Sequence, residues 1–200
     1  MGRWKGMSET WTLGLKLFII TAVAGFILGF TNYLTEQPIM KQRIQADMEA
    51  RLAVLPSAKE FEEIEIDEVA DENSKIIEIY RAVDADNNIV GYTFKVLTSG
   101  FGGDVEVIVG INSDGIIEGI RIGEHSETPG LGAKASEEGF TEQFAGKAID
   151  MPIEVNKTGD LADNEIQAIT GATITSECVS NAVNLAINYY SESLIGGIDN

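Results

Sequence analysis

Residues 76–124 read IIEIYRAVDADNNIVGYTFKVLTSGFGGDVEVIVGINSDGIIEGIRIGE. Runs rich in β-branched and aromatic residues cover 76–83, 90–99, 105–112 and 116–124. Such runs predict strands, and the separators DADNN, SGFGGD and NSDG are typical of hairpin turns. Because strands joined by short turns pair with their neighbours in sequence, this segment predicts an antiparallel meander.

The flanking sequence adds one strand pattern before the meander and helices after it. Residues 60–70, EFEEIEIDEVA, alternate Phe61, Ile64 and Ile66 with carboxylates. After the meander we expect a Gly/Pro loop, a short helix, a strand and a final helix. These lie at 125–135, Ser136–Phe144, 153–155 and about Thr175–Leu194. Strands first and helices later predict an α+β fold.

A long apolar segment lies towards the N-terminus. Residues 17–34, LFIITAVAGFILGFTNYL, contain no charged side chain. As a helix they extend about 27 Å, close to the thickness of a bilayer core. The run is too long for a cleaved signal peptide, so it predicts a permanent transmembrane helix. Arg3, Lys5 and Lys16 precede it, which predicts a cytoplasmic N-terminus and an extracytoplasmic C-terminal domain.

Residues 36–56 continue the helical pattern as a stalk. Apolar side chains recur there at helical spacing, at Ile39, Ile44, Met48, Leu52 and Leu55. This spacing predicts that the stalk packs on the outer domain through that stripe, and Pro56 is expected to end the helix.

Composition limits the classes of function. The formal net charge is −18, and residues 35–200 carry 11 basic and 31 acidic side chains, which argues against a nucleic-acid partner. The single histidine, His125, excludes several hydrolase schemes, and no His/Cys cluster has metal-ligand spacing. The single cysteine, Cys178, precludes an internal disulfide and is typical of a small buried residue on a helix.

The stretch before the final helix is rich in hydroxyl groups, since residues 168–176 read AITGATITS. Under one interpretation, Thr173 or Thr175 caps the helix by accepting a hydrogen bond from a free N–H of the first turn. Under the other, those N–H groups and the helix dipole attract a phosphate, and Gly171 and Ala172 keep the approach open. The residues alone leave both interpretations open.

Two motifs in this order resemble a known family. Thr170-Gly-Ala-Thr173 matches the S/T-G-A-T motif of covalently flavinylated membrane subunits. ETPGLG, at 127–132, resembles the flavin-side loop of the same proteins, and the N-terminal anchor and acidic domain precede both motifs as they do there. The chain therefore resembles the G subunit of the Rnf complex and, more distantly, the C subunit of the sodium-pumping NADH:quinone reductase.

The resemblance implies a fold and a cofactor site. The fold is α+β, with a single N-terminal transmembrane helix followed by an antiparallel-sheet FMN-binding domain flanked by helices. FMN would be esterified through its phosphate to Thr173 by a flavin transferase. The residues expected around the phosphate are Thr170, Gly171, Ala172, Ile174, Thr175 and Ser176. Those expected beside the flavin are Glu127, Thr128, Leu131 and Gly132. His125 is interpreted as a surface histidine at a strand end, and SGFGGD, at 99–104, as a plain hairpin turn.

The resemblance also implies a place in a complex. The chain would be an electron carrier in an ion-translocating assembly whose other subunits bind ferredoxin and NAD. The segments expected are 1–16 as a cytoplasmic N-terminus, 17–34 as the membrane span, 35–58 as the stalk and 59–200 as the outer domain. Gly25 and Gly29 form a G-x-x-x-G pattern, which is typical of packing against other membrane subunits and of ordinary glycine use in membrane helices.

Two alternatives remain open at this point. One is a flavinylated subunit of a quinone reductase or a stand-alone respiratory relay. The other belongs to a different class and is an anchored binding or assembly module without a redox cofactor.

Overall fold

The computed structural model describes residues 3–65 and 75–195. Ile66 of the alternating segment lies outside the described residues. The chain forms two compact units, Met1–Ala46 and Asp47–Asn200.

The predicted anchor and stalk form one continuous helix, α1, Arg3–Val54. Large apolar side chains of the span are exposed, and Leu28, for example, is 72% exposed. Within α1, residues 11–54 include a segment that is long and apolar enough to cross a membrane, judged by length and composition. A row of exposed leucine, isoleucine and phenylalanine suits a lipid environment and not water.

The second unit is built on a five-stranded antiparallel sheet. Its strands are β1 Glu60–Ile64, β2 Ile76–Val83, β3 Ile89–Ser99, β4 Asp104–Asn112 and β5 Ile117–His125, in the order β1-β2-β3-β4-β5. The predicted meander is confirmed, and the four predicted runs agree with β2 to β5 to within one residue at each end. The agreement follows from the clear turn chemistry between the runs.

The C-terminal part adds helices and a second, smaller sheet. Strands β6, Glu154–Asn156, and β7, Glu165–Gln167, pair in parallel. A 3₁₀ turn, Gly132–Ser136, precedes α2, Glu138–Thr141, which continues as a second 3₁₀ turn, Glu142–Phe144. Helix α3, Thr173–Tyr189, continues as a π-helical turn, Tyr190–Ile195.

Two of the predicted boundaries here were wrong. The predicted helix Ser136–Phe144 is interrupted at Glu137, whose extended backbone (φ −78°, ψ 144°) separates the first 3₁₀ turn from α2. Helix α3 begins at Thr173, two residues before the predicted start. Thr173, Thr175 and Ser176 therefore lie inside the first helical turn, whereas Thr170 precedes the helix.

The main core lies between one face of the sheet and α3. Phe94 and Val96 of β3 and Val107 and Val109 of β4 are fully buried in one cluster with α3. The α3 members recur at helical spacing, at Cys178, Val179, Ala182, Val183, Ala186 and Ile187. Strand alternation and helical periodicity thus place two apolar surfaces together. Cys178 is buried as predicted, and burial raises the pKa of its thiol, which lies 3.1 Å from Thr98 Oγ1.

The end of α1 packs on the opposite face of the sheet, but not through the predicted stripe. Leu55 is buried, whereas Met48 is 41% and Leu52 is 44% exposed. Arg51 packs against the sheet instead and is 1% exposed. The apolar spacing identified a helix correctly and the contacting face wrongly.

The reason is that the outer face of the sheet is itself charged at this point. Lys95 Nζ on β3 lies 2.7 Å from Asp47 Oδ2 on α1 and 3.2 Å from Glu106 Oε1 on β4. Arg51 pairs with Glu78 on β2 and donates to Thr93 Oγ1 at 2.9 Å. Asp47, Arg51, Glu78, Lys95 and Glu106 form what we call the charge cluster. Buried charges need partners, so α1 presents its charged side to the sheet.

Candidate functional site

Three segments of the second unit meet around one cavity. They are the β3–β4 turn at 100–103, the loop at 126–132 and the start of α3 with the turn before it, at 170–175. The cavity has a volume of about 380 Å³, within the range of about 300–1,000 Å³ found for small-molecule sites. Its lining residues are Phe101, Glu127, Thr128, Leu131, Gly132, Gly171, Ala172, Thr173, Ile174 and Thr175.

The structure brings together nine of the eleven residues that the sequence nominated for the cofactor. The other two do not line the cavity, since Ser176 is fully buried and Thr170 is exposed in the preceding turn. Phe101 lines it as well, although the sequence indicated only a hairpin turn there. The turn itself is confirmed, because Gly100 N–H donates to Gly103 O at 2.8 Å. Its position as a large aromatic residue in a glycine-rich turn could have indicated that Phe101 binds a ligand or partner at the surface.

The hydroxyl groups at the start of α3 have different surroundings. Ser176 Oγ accepts a hydrogen bond from Ile169 N–H at 2.9 Å and donates to Ala172 O at 3.1 Å. Thr175 is 1% exposed and donates to Glu127 Oε2 at 2.9 Å. Thr173 is half-buried and lines the cavity, and within residues 3–65 and 75–195 its hydroxyl has no hydrogen-bond partner. Of the three, Thr173 alone has a hydroxyl free to react or to bind a ligand.

The capping interpretation of these threonines is wrong. The residue at the N-cap position of α3 is Ala172, and no side chain caps the helix. In the described part of the chain, the backbone N–H groups of Thr173, Ile174 and Thr175 also have no acceptor. Unpaired N–H groups at the positive end of a 17-residue helix form a ready anion site.

Glu127 links all three segments of the site. Its Oε1 accepts hydrogen bonds from Phe101 N–H at 2.7 Å and from Gly102 N–H at 3.0 Å, and its Oε2 accepts from Thr175. The side chain is 6% exposed. Burial alone would raise the pKa of Glu127, but the hydrogen bonds from Gly102, Thr175 and Phe101 outweigh it and hold the pKa below its usual value of 4.5. The carboxylate is therefore ionised at neutral pH.

Two glycines are required by the geometry of the site. Gly171 has φ +79°, a left-handed conformation that other residues rarely adopt. Gly132 lies against Glu127 and Thr175, and a Cβ at this position would collide with both side chains. These two positions explain why the chain carries glycine in both motifs.

His125 lies beside the site without lining the cavity. It ends β5, its Nδ1 accepts a hydrogen bond from Glu127 N–H at 3.3 Å, and its Nε2 lies 3.2 Å from Ser136 Oγ. An accepting Nδ1 places the proton of the neutral ring on Nε2. The imidazole thus holds the start of the loop at 126–132 through its hydrogen bond from Glu127 N–H.

The upper rim of the cavity is apolar. Phe101 is 70%, Ile174 is 54% and Leu131 is 44% exposed, and all three line the cavity. Exposed large apolar side chains that converge on one cavity favour a flat, apolar ligand. The unpaired N–H groups at α3 favour an anionic group on the same ligand. This donor set and these walls fit FMN, which has an anionic phosphate and a flat, apolar ring.

Comparison with known proteins agrees with this chemistry. Residues 100–188 match the family model described as "FMN-binding domain". That segment contains the β3–β4 turn, the loop and nearly all of α3, so it includes every residue that lines the cavity.

Curated relatives cover almost the entire chain. The G subunit of the Na(+)-translocating ferredoxin:NAD(+) oxidoreductase complex of Acetobacterium woodii is 43% identical over 89% of this chain and 90% of its own length. The G subunit of the ion-translocating oxidoreductase complex of Methanosarcina acetivorans is 34% identical over 88% of this chain and 92% of its own length.

A solved structure shares the fold. The crystal structure of the C subunit of the Na(+)-translocating NADH-quinone reductase from Parabacteroides distasonis superimposes with a TM-score of 0.55 over 76% of this chain and 96% of that chain, at 23% identity. The FMN-binding match and the identity to full-length relatives lead to one conclusion. The chain belongs to the family of G subunits of ion-translocating, Rnf-type oxidoreductase complexes.

Proposed function

We propose that this chain is a membrane-anchored electron carrier that holds FMN covalently, through a phosphoester to Thr173, in an Rnf-type complex. The observation that carries the proposal is the unpartnered hydroxyl of Thr173, which lines the cavity at the N-terminus of α3. Thr175 and Ser176, its nearest chemical equivalents, are buried and already hydrogen-bonded.

The start of α3 supplies what a phosphoester needs. The N–H groups of Thr173, Ile174 and Thr175 have no acceptor within the helix and can donate to phosphate oxygens. The helix dipole adds positive potential at this end. A flavin transferase that uses FAD would form the bond between Thr173 Oγ1 and the FMN phosphorus while the pyrophosphate bond of FAD breaks. AMP would leave, and the hydroxyl proton would pass to solvent. Although the domain is acidic overall, these N–H groups give the phosphate a local site that favours negative charge.

The remaining residues bind and orient the ring. Phe101, Leu131 and Ile174 provide apolar surface, and Gly132 and Gly171 permit close backbone approach. Thr170 and Thr128 lie at the exposed edges of the site. Bound FMN supplies the capacity to accept and release electrons, and the protein tunes it through burial and nearby charge.

The setting is proposed from the anchor and the relatives. The N-terminal helix would cross the membrane with its basic end, Arg3, Lys5 and Lys16, in the cytoplasm, which leaves the flavin domain outside. Other membrane subunits of the complex would surround the anchor, and ferredoxin and NAD would bind to those other subunits. We keep 1–16, 17–34, 35–58 and 59–200 as the proposed cytoplasmic, membrane, stalk and flavin-binding segments.

The test is covalent flavin on the full-length chain produced with an active flavin transferase. We expect a fluorescent band near 21.6 kDa after denaturing electrophoresis, and intact-mass spectrometry should show one FMN. Thr173→Ala should abolish both signals. Thr175→Ala is the matched control and should retain them, because Thr175 is buried against Glu127.

The outcomes separate the alternatives. A dark wild-type band would favour the anchored binding or assembly module without a cofactor. If Thr175→Ala loses the flavin and Thr173→Ala keeps it, the ester is on Thr175 and not on Thr173. If the subunits that co-purify belong to a quinone reductase, the chain is a flavinylated subunit of that enzyme and not of an Rnf-type complex.

A further inference from the structure

We propose that Glu127 is a positioning residue whose carboxylate fixes the Phe101 turn to α3 and whose negative charge lowers the midpoint potential of the flavin. This inference rests on the proposed FMN site and adds to it the means by which the protein sets the redox potential.

The carboxylate of Glu127 joins three segments of the site. Glu127 comes from the loop after β5, its Oε1 binds the N–H groups of Phe101 and Gly102, and its Oε2 binds the hydroxyl of Thr175. Both oxygens are thus occupied by the protein. Glu127 also lines the cavity, so its charge lies at the cavity wall.

The same carboxylate holds the β3–β4 turn in place. Within the described residues, the hydrogen bonds that join Phe101 and Gly102 to the rest of the domain run from their N–H groups to Glu127 Oε1. The Cα atoms of Gly100 and Gly132 pack so closely on the carboxylate that a Cβ on either would collide with it. The carboxylate therefore fixes where Phe101 lies relative to the start of α3.

Among the described residues, the negative charge of Glu127 has no strong cationic partner. Each of the three hydrogen-bond donors to Glu127 is neutral, and in the described part of the chain no Lys or Arg forms an ion pair with it. His125 acts on its charge as well, but less than any of the three hydrogen bonds. The charge is hydrogen-bonded but not cancelled, and it is 6% exposed, so water screens it weakly. The carboxylate of Glu127 would repel the negative charge of a reduced flavin bound in the cavity. We therefore expect Glu127 to disfavour reduction and to lower the midpoint potential.

The experiment is a spectroelectrochemical titration of the full-length, flavin-loaded chain in detergent. Glu127→Gln removes the charge and keeps the shape. Its amide oxygen can accept from Phe101 and Gly102, and its NH₂ can donate to Thr175 Oγ1. We expect the midpoint potential to rise relative to the wild type.

Thr175→Val is the complementary variant. It keeps the carboxylate and removes one hydrogen-bond donor, so the negative charge is less stabilised and acts more strongly on the cavity. We expect the midpoint potential to fall. Glu154→Gln removes an equal charge from an exposed side chain on β6 and should leave the potential unchanged, because water screens it.

Opposite shifts in the two variants support the proposal, since a role limited to packing would move the potential in the same direction in both. Shifts of the same sign, or shifts no larger than that of Glu154→Gln, would overturn it. If Glu127→Gln does not fold or load flavin, Thr175→Val decides alone, and anything but a fall contradicts the proposal. Intact-mass spectrometry of the wild type distinguishes a failure of the proposed function from a failure of this inference. A wild type without flavin overturns the proposed function together with this inference, whereas a loaded wild type with unmoved potentials overturns this inference only.

Discussion

Chemically similar side chains at the start of α3 have different roles because their neighbours differ. Thr173, Thr175 and Ser176 lie within one helical turn, yet Thr175 and Ser176 point into the fold and Thr173 lines the cavity. Glu127 takes the Thr175 hydroxyl, and the backbone around Ile169 and Ala172 takes that of Ser176. A free hydroxyl at Thr173 results from this division.

At the residue scale, Gly132→Ala should destabilise the site. The added methyl group meets the carboxylate of Glu127 and the hydroxyl of Thr175. Overpacking of this kind costs about 1–3 kcal/mol. We expect a lower free energy of unfolding by urea, followed by circular dichroism, and less covalent flavin on denaturing gels.

Gly139→Ala is the matched control for this variant. Gly139 lies in α2, where an added Cβ would meet nothing within 4 Å, and its φ is not left-handed. Alanine there should leave flavin loading unchanged and alter stability by at most about 1 kcal/mol, in the stabilising direction. Equal losses in the two variants would contradict the crowded geometry at Gly132.

At the element scale, two helix ends determine where the domain can bind an anion and how the outer face of its sheet is covered. The start of α3 forms the anion site, and the end of α1 is part of the sheet's outer layer. Burial alone would lower the pKa of Lys95, but its pairing with Asp47 and Glu106 outweighs burial and holds the pKa above 10.5. A raised pKa stabilises the fold below the unfolded value, so this contribution is lost only as the pH rises through the folded value, in strongly alkaline solution.

Lys95→Met tests the charge cluster. The variant keeps much of the side-chain volume and removes the cation that Asp47, Glu106 and Glu78 share, while Glu78 keeps Arg51 as a partner. Breaking a buried pair by removing one partner costs about 3–5 kcal/mol. We expect that loss in the free energy of unfolding of the full chain in detergent, measured at neutral pH.

Arg81→Met is the corresponding control on the same sheet. Arg81 pairs with Glu62 at 3.5 Å, and both side chains are over two-fifths exposed, at 42% and 52%. Exposed pairs contribute about 0–1 kcal/mol. A loss of less than about 1 kcal/mol in Lys95→Met, matching Arg81→Met, would show that α1 is not held by the charge cluster.

At the scale of the whole molecule, the chain combines an apolar helix with an acidic α+β unit. The apolar side chains of the helix are exposed along the span, and the second unit has its own core between α3 and the sheet. The apolar span of the first unit thus suits a lipid environment, whereas the second unit buries its apolar side chains in a core of its own.

The proposed orientation can be tested with single cysteines in a Cys178→Ala background. Ser57→Cys lies just after α1 in an exposed position, and Ser8→Cys lies before the span. A membrane-impermeant maleimide added to intact cells should label Ser57→Cys and not Ser8→Cys. Detergent permeabilisation should then expose Ser8→Cys, and the reverse pattern would invert the proposed topology.

Local patterns were enough for much of the architecture. Periodicity and turn residues predicted the meander of β2 to β5 and the part of α1 that forms the anchor and stalk, because both depend on neighbours in sequence. The helical start of α1, residues 3–16, was not predicted. The order of ETPGLG and Thr170–Thr173 indicated the FMN-binding family, which the matched relatives confirm. The short pair β6–β7 escaped complete prediction, since three-residue strands carry little periodic signal.

The sequence alone determined that an apolar helix, an antiparallel sheet and a hydroxyl-rich helix start would be present. Only the tertiary structure decided which face of α1 meets the sheet, which threonine has a free hydroxyl, and that Phe101 and Glu127 share one site. Those outcomes depend on contacts between residues distant in the chain, such as the 26 positions between Phe101 and Glu127. A buried charge or hydroxyl must find a partner wherever the fold brings one, and that requirement leaves no periodic trace in the sequence.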